Sequence, residues 1–272
     1  MDAEIITADT FLEPGEPGPF DCLHPESESN VVLICDHASK RIPNALDDLG
    51  LEYQNRERHI AWDMGAGPLT RYLSRRLGAV AVLANYSRLV MDLNRNPDSD
   101  DAYPSVSDIT VVPANQNLSP EAQAIRRAAL FDPYHNAIET QLDAVRARGV
   151  CPALVAIHSY TQELLSGGGE RPWHIGVLYD KDVRIAHRLI ESLSRNPLVE
   201  VGDNEPYSGT HYHDYSIDTH GEAARIACCG IEVRQDLLAT RESFNQWATI
   251  LGDALAETLA DPVIYESTCA KV

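Results

Sequence analysis

The sequence predicts an α/β protein: a single domain with a mixed, mostly parallel sheet flanked by helices. Two observations carry this. Short apolar runs without polar alternation recur at 31–35, 79–83 and 153–157, and strands that are apolar on both faces belong to sheets covered on both sides. Between these runs lie segments with apolar residues at helical spacing, and alternation of strands with helices builds such a sheet. No internal repeat interrupts the pattern.

Taken in order, residues 1–29 hold Pro14, Pro17, Pro19 and Pro25 and little periodicity, which predicts an extended or irregular N-terminal segment. VVLIC at 31–35 is the first buried strand. AWDMGAGPLTRYLSRRL at 61–77 has Leu69, Leu73 and Leu77 at helical spacing, with Asp63 at its start, and AVAVL at 79–83 is the next strand. Leu89, Val90 and Met91 precede an Asp-rich loop over 96–117. Ser119-Pro120-Glu121 starts a helix with a capping hydroxyl and proline at the first helical position. The helical signal runs to Arg148, and Pro133 predicts a break or kink. The strand at 153–157 ends in His158. Gly167, Gly168 and Gly169 predict a mobile loop. A strand at 174–178, a helix near 182–194, a polar, turn-rich stretch at 202–219, a strand at 226–233 and a closing helix at 241–260 complete the chain.

Composition excludes some partners. With 41 acidic and 22 basic side chains the net charge is −19, a field that repels nucleic acid and anionic membranes. No apolar run approaches the ~20 residues of a membrane-spanning helix, and the acidic N-terminus lacks the features of a signal peptide. A soluble cytoplasmic protein is expected. The six cysteines include no CxxC pair, so no disulfide framework is expected in a chain of this type. Arginines clustered against so acidic a background predict a local anion site.

The chemistry-bearing residues are polar groups at or inside buried strands. His37 follows the first strand in CDH, His158 closes another, and Glu232 lies within the apolar GIEVR run. An ionised glutamate there is costly unless paired or functional. Two histidines and one carboxylate suffice for a catalytic zinc with a position left for water, and a further carboxylate can take a proton from that water. Each residue also has a plainer reading: a capped strand end for either histidine, a helix cap for Asp63, a structural ion pair for Glu232 and Arg234. His211, His213 and His220 offer another histidine group. In NYSRLVMDLNRNP, Arg88 and Arg95 flank a short apolar segment and Asn94 adjoins Arg95. Arginine grips a carboxylate through paired hydrogen bonds, unless these arginines pair with Asp92 or Asp98.

These stretches resemble the N-formylglutamate amidohydrolases. CDHASKRIP, AWDMGAGPLTRYL, NYSRLVMDLNRNP, IGVLYD and GIEVRQDLL carry the likeness from about residue 30 to 240. IHSYTQ, MDLNRN and IEVRQ are also similar, in the same order, to motifs of the A-type zinc carboxypeptidases. The resemblance implies a zinc-carboxypeptidase-like fold, with 30–262 as the amidohydrolase domain and 263–272 as a C-terminal tail. It implies one Zn2+ held by His37, Asp63 and His158, with Asp36 the alternative acid because Lys40 stands where the carboxypeptidases have their ligand glutamate. It implies Glu232 as base, Arg88 at the scissile carbonyl, and Asn94 and Arg95 on a substrate carboxylate. Ser159 and Tyr160 would line the pocket or steady the ligands, and Arg234, Arg171 or Arg184 would meet a second carboxylate. The implied reaction is hydrolysis of a linear N-formyl or short N-acyl amide of an acidic amino acid. A carboxypeptidase-like hydrolase, another N-acyl amino-acid hydrolase and a non-catalytic carboxylate-binding protein are the alternatives.

Overall fold

The structure, a computed structural model, describes residues 7–167, 169–210 and 214–266. Along them run the strands β1 (Phe20–Leu23), β2 (Val31–Cys35), β3 (Val80–Ala84), β4 (Val106–Ser107), β5 (Thr110–Val111), β6 (Ala153–Tyr160), β7 (Ile175–Leu178), β8 (Val201–Asp203) and β9 (Ala227–Arg234). Seven of them form one sheet in the order β1-β3-β2-β6-β9-β7-β8, and β4–β5 is a separate hairpin. β3, β2, β6 and β9 run parallel, β1 is antiparallel to β3, and β7 is antiparallel to β9.

The helices are the short α1 (Tyr53–Arg56), then α2 (Ala66–Leu77), α3 (Pro120–Arg126), α4 (Asp132–Ala147), α5 (Arg184–Ser194), the single turn α6 (Tyr215–Ile217) and α7 (Arg241–Leu259). Strand side chains alternate between two cores. Leu33, Ala81, Val155, Ile157 and Ile231 pack with Leu69 and Leu73 of α2, Leu189 of α5 and Leu251 of α7. Val32, Ile34, Leu154 and Ala156 pack with Tyr134, Ile138 and Leu142 of α4 and with Leu89, Val90 and Met91. Both faces are therefore covered, which is why the strands read as unbroken apolar runs. No helix among the described residues is long and apolar enough to cross a membrane.

Several expectations need adjustment. Phe20–Leu23, inside the N-terminal segment, pairs with β3 as an edge strand. The helix expected over 61–77 starts only at Ala66, after Gly65 in left-handed conformation. Asp63 therefore does not cap it but sits in the preceding turn, its N–H donating to the His37 carbonyl at 3.0 Å. Pro133 does not break the helical run. A π-helical turn at Arg127–Phe131 joins α3 to α4, a wider turn that accommodates the missing N–H. β6 continues past His158 to Tyr160. Gly168, His211 and His213 lie outside the described residues.

Candidate active site

The site forms where parallel strands end, the usual place for ligands in open α/β sheets. β2 pairs with β6 from Val31 opposite Ala153 as far as Ile34 opposite Ala156, so residues 157–160 of β6 extend beyond β2, and Asp36 and His37 leave the sheet beside them. On the other side β9 follows β6 to its end, placing Glu232 directly opposite His158. Leu154 and Ala156 point to the α4 side, and by strand alternation His158 and Glu232 do too. Gly176 of β7 is the next partner of Glu232. A β-carbon at Gly176 or Gly202 would collide with the Glu205 carbonyl oxygen, so both glycines let the segment 204–209 close over this end of the sheet.

His37, Asp63 and His158 are all buried. Nδ1 of His158 is 2.8 Å from Asp63 Oδ2, and Nδ1 of His37 is 3.4 Å from the same oxygen. Each imidazole has another carboxylate behind it: Asp92 Oδ1 lies 2.7 Å from His37 Nε2, and Asp36 Oδ2 lies 3.3 Å from His158 Nε2. Ser216 Oγ donates to Asp36 Oδ1 at 2.7 Å, and Arg88 donates to Asp92 Oδ2 through Nε at 3.0 Å and Nη2 at 2.6 Å. Burial opposes charge throughout, but the neighbours override it. His158 and His37 hold Asp36 down at about 2 and Asp63 well below the carboxylate range. Asp36 and Asp63 raise His158, and Asp92 and Asp63 raise His37 against both its burial and the charge of Arg88.

This donor set suits a divalent metal. The three residues offer ligand atoms within 4.8 Å of one another, two nitrogens and a carboxylate oxygen, with carboxylates orienting the imidazoles. His37 Nδ1 and Glu232 Oε2 are buried without a hydrogen-bond partner, as atoms awaiting a cation and a substrate or water would be. Asp63, rather than Asp36, lies between the two Nδ1 atoms. Burial pushes the Glu232 carboxyl up to about 7, with His158 pulling against it and Asp63 adding to it.

A cavity of about 560 Å³ opens over this group. His37, Asp63, Arg88, Asn94, Arg95, His158, Ser159, Tyr160 and Glu232, all expected from sequence, line it. Arg234 is not among its walls and needs correction: it turns to Asp236, with Nε 2.8 Å from Oδ1, and to the Pro172 carbonyl at 2.8 Å. Nor do Arg171 and Arg184 line it. Arg171 donates to Thr161 O and Tyr207 Oη, and Arg184 is held by Asp182 and the Glu266 carbonyl. Arg88 pairs with Asp92, the plainer of its two readings, while Nη1 stays 3.6 Å from Asp63 at the cavity. Asn94 Oδ1 accepts from Ser216 N–H at 2.9 Å, and its amide N–H side meets the Asp214 carboxylate. Tyr160 donates its hydroxyl to the Trp173 carbonyl.

The sequence reading missed several contributors. Asp92 was legible as a residue four after Arg88, but not as the partner of His37. Gln235 lies inside the IEVRQ motif and lines the cavity. Tyr207 and Asp214 come from the polar stretch at 202–219, where no periodicity singles them out.

Fold and site together define an α/β protein with a polar centre at the strand ends. A sequence profile of the N-formylglutamate amidohydrolases matches residues 29–239, and the chain belongs to that family. A crystal structure of an Agrobacterium tumefaciens gene product superimposes with a TM-score of 0.87 at 30% identity, covering 92% of this chain and 98% of that one. An N-formylglutamate amidohydrolase structure from Ralstonia eutropha JMP134 shares the fold, with a TM-score of 0.71 at 19% identity over 89% of this chain and 97% of the other. The N-formylglutamate deformylase of Pseudomonas putida is 30% identical over 127 residues, 43% of this chain. That match spans 46% of the relative's own length.

Proposed function

We propose that the protein is a metal-dependent hydrolase that converts N-formylglutamate and water to glutamate and formate. The observation that carries this is the buried His37–Asp63–His158 group beside the partnerless carboxylate of Glu232. Zinc, one per chain, is the expected metal; when bound it would polarise the amide carbonyl and lower the pKa of water. Glu232 takes a proton from the attacking water and passes it to the leaving nitrogen as the formyl C–N bond breaks. Arg88, fixed by Asp92, presents its remaining N–H groups to the oxygen that gains negative charge. Arg95 and the Asn94 amide hold a substrate carboxylate, so that the amide lies over the metal group. Tyr160 and Ser159 form wall, their hydroxyl protons already given to Trp173 and Met64 carbonyls.

The test is metal analysis of the purified protein coupled to formate release from N-formylglutamate and a panel of other N-acyl amino acids. Chelation should abolish activity and zinc should restore it. Full activity in metal-free protein would remove the metal from the scheme, and turnover confined to longer acyl groups would move the substrate.

A further inference from the structure

Beneath the segment that carries Asn94 and Arg95 lies a histidine pair with no part in the scheme above. His135 of α4 and His220, in the π-helical turn Asp218–Glu222, are both buried. Their rings are nearly parallel, 17° apart, with centroids at 5.2 Å. His135 Nε2 is 2.9 Å from the Leu93 carbonyl oxygen, and its Nδ1 is 2.9 Å from His220 Nε2. His220 Nδ1 faces Glu139 at 3.2 Å. The rings of Phe131 and Tyr215 pack against His135 with centroids at 4.1 and 5.0 Å. Proton placement follows from the partners. A carbonyl only accepts, so His135 must carry its proton on Nε2; in the neutral ring Nδ1 is then an acceptor and His220 Nε2–H must donate to it, and the contact of His220 Nδ1 with Glu139 holds one proton more than a neutral ring and a carboxylate supply.

Residues 85–99 belong to no helix or strand, so no backbone ladder holds them. Isolated backbone bonds hold them, such as Ser87 N–H to Arg41 O at 2.7 Å and Asp92 N–H to Ala102 O at 2.8 Å, Asn94 N–H donates to Asp92 Oδ1 at 2.9 Å, and buried side chains add three more. Asn115 Nδ2 donates to Leu89 O at 2.8 Å, Arg126 Nη1 donates to Val90 O at 2.8 Å, and His135 donates to Leu93 O. The last bond falls on the peptide that leads directly into Asn94. On the far side of Asn94, Ser216 N–H holds its side-chain oxygen at 2.9 Å. The catalytic groups His158 and Glu232 are built on β6 and β9, different elements with their own ladder.

We propose that His135 is a positioning residue for the substrate carboxylate: its Nε2–H bond to Leu93 O fixes the peptide from which Asn94 and Arg95 reach the cavity, and His220 holds its tautomer. This rests on the reading of Asn94 and Arg95 as the carboxylate clamp. Because the clamp stands apart from β6 and β9, which carry His158 and Glu232, and Arg88 in the same segment is anchored separately by Asp92, losing the bond weakens binding more than it slows the chemical step.

The test uses the zinc-loaded full chain, with L-glutamate binding by calorimetry, KM and kcat for N-formylglutamate, metal content, and 15N-histidine spectra of the wild type. In His135→Leu, the glutamate Kd and KM should rise about tenfold, as loss of one buried hydrogen bond implies, with kcat within about threefold and metal retained. His135→Gln, whose carboxamide N–H reaches the same carbonyl, should recover to within about threefold of wild type. The wild-type spectrum should show His135 protonated on Nε2. Wild-type glutamate affinity in the Leu variant, or a fall in kcat as large as the rise in KM, overturns the proposal. So does a His135 ring protonated on Nδ1 alone, a result that needs no variant to fold. If the Leu variant does not fold, the Gln variant decides by its affinity. A wild-type protein that binds no glutamate refutes the clamp itself, and the tautomer spectrum separates that failure from failure of the hydrogen bond.

Discussion

Replacing Glu232 with glutamine separates base from scaffold. Glu232 is 8% exposed, stands opposite His158 in the ladder, and leaves Oε2 without a partner. A structural carboxylate in such a place would be paired, so the missing partner points to water or substrate. Glutamine keeps the shape but cannot take a proton. Turnover should fall by ~10²–10⁴-fold, the range for a positioned general base, equivalent to about 3–5 kcal/mol of barrier at roughly 1.36 kcal/mol per tenfold. The fold should not suffer, because a carboxyl that burial already pushes up to about 7 becomes a neutral amide, and Tm should hold or rise. The assay is formate release at saturating N-formylglutamate, with metal content and thermal melting measured on the same preparation. Turnover within about threefold of wild type at equal metal content would refute the assignment of the base. Loss of metal with unchanged turnover per bound metal would make Glu232 a ligand instead.

Three further predictions follow from the geometry. Asp63→Asn should weaken zinc retention by more than Asp36→Asn, for which an orienting carboxylate predicts about 10–100-fold; the reverse order in a metal titration would make Asp36 the ligand. Wild type should prefer N-formylglutamate over its α-amide by ~2–3 kcal/mol in kcat/KM, what a charge-assisted bond supplies. Arg95→Met should lose most of that preference, whereas Arg88→Met should slow both substrates; a full preference retained in Arg95→Met places the clamp elsewhere. Burial lowers the pKa of His135 from 6.5 to about 4, with His220 adding to it and Asp36 and the Leu93 carbonyl opposing; Glu139 lies behind His220. Since the folded pKa lies below the unfolded one, this stability is present above about pH 6.5 and is lost as pH falls toward 4, at most roughly 3 kcal/mol. Denaturant unfolding at pH 7 and pH 5 should therefore show wild type losing more stability than His135→Gln, and equal losses would refute the linkage.

The strands β2, β3 and β6 were legible because each is a run of apolar residues, and α2 because Leu69 and Leu73 repeat at helical spacing. His158 and Glu232 stood out as polar groups in such runs. Asp63 was not legible this way: its neighbours suggest a cap, and only family likeness brought it to the metal group. The reason is physical, since Asp63 reaches His158 across 95 positions of sequence through a turn that no periodicity encodes. Arg234 failed for a local reason. It follows Glu232 by two residues on the same face of β9, but Asp236 lies two residues further on and captures its guanidinium. Pro133 was read as a break because proline removes a helical hydrogen bond, yet the π-helical turn before it absorbs that loss. The 204–209 wall was invisible because its position depends on the absent side chains of Gly202 and of Gly176, the latter far from it in the sequence.

The positions of His158 and Glu232 come from the register of the sheet rather than from contacts between them. β6 and β9 pair over eight positions, from Ala153 with Ala227 to Tyr160 with Arg234. Val155, Ile157, Cys229 and Ile231 point to the α2–α5–α7 core, and Leu154, Ala156 and Cys228 to the α4 core. With that hydrophobic set in place, alternation puts His158 and Glu232 on the α4 face together, and a slip of one residue on either strand would send its polar group into the opposite core. Residues outside the proposed chemistry thus hold Glu232 beside His158. The early end of β2 leaves one flank of β6 open, and His37 and Asp63 enter there. Because the ladder does the holding, the side chains need not satisfy one another, and His37 Nδ1 and Glu232 Oε2, like Asp36 Oδ2, His158 Nε2 and Gln235 Oε1 around them, can remain without hydrogen-bond partners. Such groups weaken a fold, and they persist where the surrounding structure is strong enough to keep them for a metal and a substrate.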